Sequence, residues 1–385
     1  MRYASILTLF FIQLISFDCL AQMEALNEAW LSEDFEKVIE VGEECIKIDS
    51  TNLLCHERMA LAACKLGDFK TSKTAFNKIL EQDSIHRIAL ENLARIYELE
   101  ENIPKAIRCY NVLVSQDSSN AIYYRKLGQL YVKAEFNIEA KNNFEKAYAI
   151  NAKDFFTVKG LVEIHLANEE FQLADELIEN SLAYDSTNLQ LILMSARSAY
   201  IQKEYQQTVK KLEGIRGKLD LNNYYSKMLG FSYLQIDSID KSITYLTKSL
   251  FKEKNPEYAL YYLAIAHEEK NEFAQAIEFY EKAKEAGISK QVDNYYKNLG
   301  RLYKQEGNLP QAIKNYERAY DHSKDDLLIY LLAQVTDEYY KDKKVAIRYY
   351  RKFEKSAYPN QEYKAYARQR RIYLKEQMHL MNSNE

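Results

Sequence analysis

The sequence predicts an all-α solenoid of paired helices, and three observations lead there. A 34-residue self-similarity runs through nearly the whole chain, clearest over residues 94–106, 128–140, 264–276 and 300–312. In each block a small residue is followed three places later by Tyr or His and twelve places later by Ala. Four residues beyond that Ala stands Tyr110, Phe144, Tyr280 or Tyr316. A period of this length, built from two amphipathic halves, marks a helical repeat that stacks on its neighbours. Only four prolines and ten glycines occur in 385 residues, which leaves long stretches free to be helical. Hydrophobic residues make up 47% of the chain and charged ones 28%, enough for a continuous core and for solvated outer faces.

The first element is a separate object. Arg2 precedes an apolar run from Ile6 to Ile15, and Cys19, Leu20 and Ala21 stand before Gln22. A charged start, an apolar stretch and a small-x-small site form the pattern of a secretory signal peptide. The run is shorter than the roughly 20 apolar residues of a spanning helix. Residues 1–21 are therefore expected to be cleaved near Ala21, exporting a chain that begins at Gln22. A lipoprotein reading would acylate Cys19, but Phe17 and Asp18 are poor matches to the small residues such a site takes. No later segment is apolar for long enough to span a bilayer.

With the first residue of each helix A as position 1, units begin near 19, 53, 87, 121, 155, 189, 223 and 257. A two-residue insertion around Gly287 moves the last two starts to 293 and 327. Position 8 is small in most units (Ala60, Ala94, Gly128, Ala196, Gly230, Ala264, Gly300), and position 20 is Ala, Ser or Thr in nearly all. Bulk there would push the two helices of a unit apart. Position 24 is large: Phe76, Tyr110, Phe144, Ile178, Leu212, Leu246, Tyr280, Tyr316 and Tyr350. Pro104 and Pro310 both fall at position 18, the first turn of helix B, where a missing N–H costs nothing. Pro256 and Pro359 fall between units. Three places depart from the pattern. Unit 19 has Val38 and Gly42 at positions 20 and 24, and unit 327 has Gln334 at position 8, where loose packing is expected. Unit 189 carries Gly214 and Gly217 late in helix B, each weakening a helix by about 1 kcal/mol relative to Ala, so that helix is expected to end near Gly217.

Composition narrows the chemistry. A net charge of −4 gives no general attraction to nucleic acid. No phosphate-cradling Gly-rich loop, Gly-x-Ser-x-Gly elbow or His-Glu-x-x-His motif occurs, so neither an enzyme nor a cofactor is expected. His165 and His267 both occupy position 11, where other units have Tyr, and read as structural. His56, His86, His322 and His379 stand without an evident partner. Cys45, Cys55, Cys64 and Cys109 remain after the leader, at spacings that match no zinc site. Cys64 and Cys109 read as buried free thiols. Residues 341–375 hold twelve Lys or Arg against Asp342, Glu354 and Glu362, a surplus that fits an anionic partner, a membrane surface or a solvated cap.

The small residues at positions 8 and 20 and the large ones at position 24 resemble the tetratricopeptide repeat, over essentially the whole mature chain. The resemblance implies a right-handed superhelical solenoid of about ten units over residues 22–359, with a capping helix and frayed tail over 360–385. It implies a concave groove lined by positions 2, 5, 9 and 12 of the A helices. On this chain those positions give Arg95, Arg125, Gln129, Lys159, Arg197, Tyr200, Tyr224, Lys227, Phe231, Tyr258, Tyr261, Lys297, Arg301 and Lys304, with Glu57, Glu91, Glu98, Glu163, Glu268 and Glu338 among them. Aromatics and Arg dominate binding energy at protein interfaces, so a protein segment with acidic and apolar residues is the expected ligand. Some family members clamp a C-terminal carboxylate with Lys and Asn on successive A helices. Lys297, Asn298 and Arg301 echo this within one unit only, and no clamp is expected. Position 27 of one helix B and position 3 of the next helix A touch in the family; Cys45 and Cys55 hold these places, so a disulfide between them is implied. A cleaved signal on such a chain looks like a Gram-negative periplasmic adaptor, a non-catalytic scaffold. The alternative is a structural or assembly subunit of a cell-envelope complex docked through its basic C-terminal end.

Overall fold

A computed structural model describes residues 21–251, 253–287 and 292–383 of the chain. The expected leader up to Leu20, including Cys19, lies outside the described residues, as do residues 288–291 of the insertion. The chain divides into two compact units, one ending at Ser186 and one beginning at Thr187.

The first unit is a run of helices alternating A and B. It comprises α1 (21–31), α2 (Phe35–Ile48), α3 (Leu53–Leu66), α4 (Phe69–Gln82), α5 (Arg87–Leu99), α6 (Ile103–Gln116), α7 (Ala121–Lys133), α8 (Asn137–Ile150), α9 (Phe155–Ala167) and α10 (Phe171–Tyr184). The second continues with α11 (Leu189–Ile201), α12 (Tyr205–Gly214), α13 (Asn223–Gln235), α14 (Ile239–Ser249), α15 (Glu257–Glu269) and α16 (Phe273–Ala286). After these come α17 (Val292–Gln305), α18 (Leu309–Ser323), α19 (Asp326–Tyr339), α20 (Lys344–Glu354) and α21 (Gln361–Ser383). Both units are all-α repeat solenoids. Helices α3 to α15 of the A series begin at the residues the 34-residue register assigns, and α17 and α19 begin one residue earlier.

Most helices have 13 or 14 residues, a length at which an isolated helix is marginal in water, so packing holds them. Their starts are set by side-chain caps. Asn52, Asn188 and Asp154, for example, accept from backbone N–H groups in the first turn of α3, α11 and α9. The turn between helices A and B repeats a backbone device. Position 15 adopts a left-handed conformation at Glu33, Gly67, Glu101, Glu135, Glu169, Lys203, Asp237, Asn271 and Gly307, with φ between 56° and 78°. The following residue's N–H then closes on the carbonyl five back, as in Asn102 to Tyr97 at 2.8 Å and Glu170 to His165 at 2.8 Å. This is a Schellman-type ending that satisfies the last carbonyls of helix A.

The crossing of A and B explains the small and large positions. A Cβ placed on Gly128 would stand 2.8 Å from the Phe144 ring, and one on Gly300 would stand 2.6 Å from Tyr316. At Gly128, Gly230 and Gly300 the large residue at position 24 (Phe144, Leu246 or Tyr316) fills the space that the glycine at position 8 leaves empty. Gly42 obeys the same logic in reverse: a Cβ there would lie 3.1 Å from the Met59 Cβ, so the missing aromatic of the first unit makes room for α3.

Two expectations are corrected. The last repeat is not loosely packed: Ala333, fully buried, stands at the A–B crossing, and Gln334 sits beside it with Nε2 donating to the Tyr330 hydroxyl at 3.0 Å. The turn from α19 to α20 holds four residues where most A–B turns hold three, and no residue of it is left-handed, which shifts helix A by one place relative to helix B. Helix α12 ends at Gly214, three residues before the expected Gly217, and Gly217 adopts φ +85° beyond it. Helix α21 continues through Asn382 and Ser383. It packs onto the end of the second unit through the buried Ala367 and Leu374. Arg370 Nε donates to Asp337 at 2.7 Å and Arg371 Nη2 to Glu354 at 3.1 Å. Part of the C-terminal basic surplus is thus neutralised within the fold.

In the first unit Cys45 and Cys55 are joined as a disulfide between α2 and α3, with Cα atoms 6.3 Å apart. Cys109 is buried, and burial pushes its thiol up to about 11. Cys64 is half-buried, its Sγ 2.9 Å from the Ser72 hydroxyl.

Candidate functional site

The A-helix face of the first unit carries ionic ties between successive repeats. Arg125 Nη1 donates to Asp154 Oδ1 at 2.8 Å, and the guanidinium lies 5.5 Å from the centre of the Phe156 ring. The other oxygen of Asp154 caps α9, accepting from Thr157 N at 2.9 Å. Lys126 reaches Glu98 at 2.8 Å, and the same carboxylate accepts from the Tyr110 hydroxyl at 2.6 Å. Tyr123 donates to Glu91; burial and then that bond push its hydroxyl up to about 12. Arg125, Glu91 and Glu98 therefore act as struts. Arg95 and Lys159 are exposed and have no carboxylate within ion-pair distance among the described residues.

Between α7 and α9 this face opens into a cleft of about 490 Å³. Leu130, Val132, Phe144, Phe156 and Ile164 supply its apolar surface, and Gln129, Lys133, Lys159 and Glu163 its polar rim. Val132 is 45% exposed and Phe156 55%. The opening depends on Gly160. A Cβ there would stand 2.5 Å from Phe144, so a side chain at this place would displace the ring that floors the cleft. Lys133, like Lys159, has no carboxylate partner among the described residues.

The A-helix face of the second unit is aromatic. Phe231 on α13 lies 5.8 Å from Tyr200 on α11, 5.7 Å from Tyr205 at the start of α12, and 4.4 Å from Tyr262 on α15. Tyr262 continues to Tyr258 and Tyr261, and Tyr261 lies 5.2 Å from Tyr295 on α17. Edge-to-face and tilted rings at these separations attract through their quadrupoles. Tyr224 (48% exposed) and Tyr258 (38%) leave most area open to a ligand. Burial raises the hydroxyl of Tyr261 above its ordinary range.

The cations foreseen in this stretch are largely compensated. Arg301 Nη2 donates to Glu268 at 2.6 Å, and Glu268 also accepts from Tyr280 at 3.3 Å. Lys297 lies 4.0 Å from Asp325, and Lys304 lies 3.9 Å from Glu338. Arg197 also has a partner. Lys227 is half-buried with no carboxylate partner among the described residues. The groove positions thus divide: Tyr224, Tyr258, Phe231, Lys227, Arg95 and Lys159 present surface, while Arg125, Arg301, Tyr261, Lys297 and Lys304 mainly tie repeats together.

Positions 6 and 17 went unread in the sequence. Gly160 and Tyr262 both stand at position 6, and Tyr205 stands at position 17. A glycine in mid-helix costs about 1 kcal/mol and invites a packing reason, which was the available signal for Gly160.

Two family models, both described as tetratricopeptide repeat, match the chain, one over residues 58–121 and 228–290 and the other over 296–329. The chain is a tetratricopeptide-repeat protein. Among solved structures it is similar to the C-terminal part of a TPR repeat-containing protein from Cytophaga hutchinsonii. That likeness has 15% identity, covers 62% of this chain and 98% of that one, and has a TM-score of 0.51. It also matches a tetratricopeptide repeat protein from Parabacteroides merdae at 14% identity, over 64% of this chain and 98% of that one, with a TM-score of 0.45. A third match is Pseudomonas aeruginosa pilF, at 21% identity over 58% and 99% of the two chains, with a TM-score of 0.46. Identities this low concern the fold alone. No curated protein matches the chain.

In this tetratricopeptide-repeat protein the histidines contact neighbouring groups of the fold. His165 Nδ1 lies 2.6 Å from Glu170, and His267 Nδ1 lies 2.6 Å from Glu272. Both pairs join position 11 to position 16, the residue that precedes helix B, and the imidazole bond lowers each carboxylate below its ordinary range. The histidines read as partnerless in the sequence are engaged too. His56 Nε2 lies 3.0 Å from the Ser50 carbonyl, His86 caps α5, and His322 stacks 5.8 Å from Tyr296. His379 also has a partner.

Proposed function

We propose that this tetratricopeptide-repeat protein is a non-catalytic interaction scaffold that binds a polypeptide segment on its A-helix face. The observation that carries the reading is the cleft between α7 and α9. It combines exposed Val132 and Phe156 with an apolar floor and two lysines, Lys133 and Lys159, that lack carboxylate partners. Such a site complements a segment with a large apolar side chain beside an acidic residue. The aromatic face around Phe231 and Tyr258 offers further apolar area of the same kind. The leader pattern of residues 1–21 supports export, and so a periplasmic or secreted adaptor. The alternative, an envelope subunit held by its basic end, has less behind it, because Arg370 and Arg371 are tied to Asp337 and Glu354.

The test is capture of partners from the native envelope by the mature chain and by a Phe156→Asp variant. Phe156 is exposed, so the fold tolerates the change, and helicity is checked by circular dichroism. The reading expects a polypeptide retained by the wild type and lost from the variant. Equal retention by both removes the cleft from the account.

A further inference from the structure

The B-helix layer of the second unit holds a cleft that binding on the A-helix face does not use. Helix α12 stops after ten residues, where α8, α10 and α16 run for fourteen. The missing final turn leaves an opening of about 560 Å³ between the segment 215–221 and α14. Leu219 and Leu221 stand half-buried in it, above the buried Leu212 and Leu229.

The carboxylates of this cleft are already engaged. Asp220 accepts from Lys248 at 2.6 Å. Glu213 accepts from the Tyr233 and Tyr245 hydroxyls at 2.8 and 2.7 Å, with Arg216 at 3.5 Å. Two cations are left over. Lys218 is exposed with no carboxylate partner among the described residues, and Lys241 has only the face of Tyr233, 5.2 Å from the ring centre. The cleft therefore joins an aliphatic floor to uncompensated positive charge, in a chain whose net charge is negative.

We infer that this cleft docks an acidic stretch of a partner polypeptide. One aliphatic side chain sits between Leu219 and Leu221, and neighbouring carboxylates meet Lys218 and Lys241. A free phosphate would use the cations but leave the leucines uncovered. A bilayer surface would meet Asp220, which is exposed, as well as the lysines. An acidic, leucine-bearing segment satisfies both halves of the site, by charge-assisted hydrogen bonds and by apolar burial.

The test uses the full mature chain and a fluorescent peptide of alternating glutamate and leucine, read by anisotropy. Saturable binding is expected, weakening as salt is raised because the charges are exposed. The double variant Lys218→Glu, Lys241→Glu should weaken it at least tenfold. The gentler pair Lys218→Gln, Lys241→Gln should weaken it in the same direction, and gives the reading if the reversed pair fails to fold. The measurements are made in the Phe156→Asp background, which removes the contribution of the A-helix cleft, and saturable binding is expected to persist there. The inference is overturned if the peptide does not saturate, if a lysine–leucine peptide binds as well, if millimolar phosphate displaces it, or if the Gln pair binds like wild type. Loss of binding in Phe156→Asp would move the peptide to the A-helix cleft and overturn it equally.

Discussion

The ring of Phe144 is gripped between two glycines on successive A helices: a Cβ on Gly128 would stand 2.8 Å from it, and a Cβ on Gly160 would stand 2.5 Å from it. Both distances are below any ordinary carbon–carbon contact. The ring is buried between α7 and α9, and the space beside it is the cleft. Gly160→Ala gains helix propensity of about 1 kcal/mol but overpacks the ring, at a typical cost of 1–3 kcal/mol. A net loss of stability of about 1 kcal/mol is expected, visible as a lower denaturant midpoint. Gly160→Ala as stable as wild type, or more so, would show that Phe144 can move aside.

Tyr258 and Tyr261 are neighbours in sequence with different tasks. Tyr261 packs against Tyr280 and Tyr295, whereas Tyr258 is 38% exposed. Tyr261→Ala should cost about 2–4 kcal/mol in chemical denaturation, and Tyr258→Ala no more than about 0.5 kcal/mol. Comparable losses from the two would contradict the division of the aromatic face into structural and presenting residues.

Much of the fold was legible because its signals are local and periodic. The small residue at position 8, the Ala at position 20 and the prolines at joints fix the register, and the helices begin where that register places them. The last repeat escaped because an extra turn residue moves Ala333, not Gln334, onto the crossing, and a one-residue slip leaves the B-helix pattern intact. The site was legible only in part. A Lys or Arg at a groove position reads as available, yet the carboxylate that engages it lies 28 to 34 residues away, as in Arg125 with Asp154 or Lys304 with Glu338. Such pairing depends on the stacking of neighbouring repeats and on side-chain reach, which the register does not specify. The left-handed turn residue was equally hidden, since glycine fills it only at Gly67 and Gly307.

That corrected register is testable. Ala333→Leu forces a branched side chain into a fully buried crossing and should cost about 1–3 kcal/mol. Gln334→Leu, beside it and half-buried, should be nearly neutral. The reverse ranking in thermal unfolding would restore Gln334 to the crossing.

The buried tyrosines give stability a defined alkaline limit. Burial, the largest cause in each case, pushes the hydroxyls of Tyr123, Tyr316 and Tyr349 up to about 12, with Glu91 and Glu317 adding to the first and last. An unfolded tyrosine titrates near about 10. The unfolded chain therefore loses these protons first, so their contribution is complete below pH 10 and is lost as pH rises from about 10 to about 12. Denaturation midpoints should be flat from pH 8 to 9.5 and fall steeply above 10. A midpoint that stays level to pH 11.5 would mean that these hydroxyls ionise within the fold.

Whether the A-helix face is where a partner sits is decided most directly by site-specific photo-crosslinking in the native cell. A photoreactive residue replacing Val132, at the edge of the α7–α9 cleft, is compared with one replacing Glu145, exposed on the B-helix α8. The account predicts a discrete crosslinked polypeptide from position 132 that is absent at position 145 and disappears when Phe156 is changed to Asp. A crosslink from position 145 with none from position 132 would contradict it.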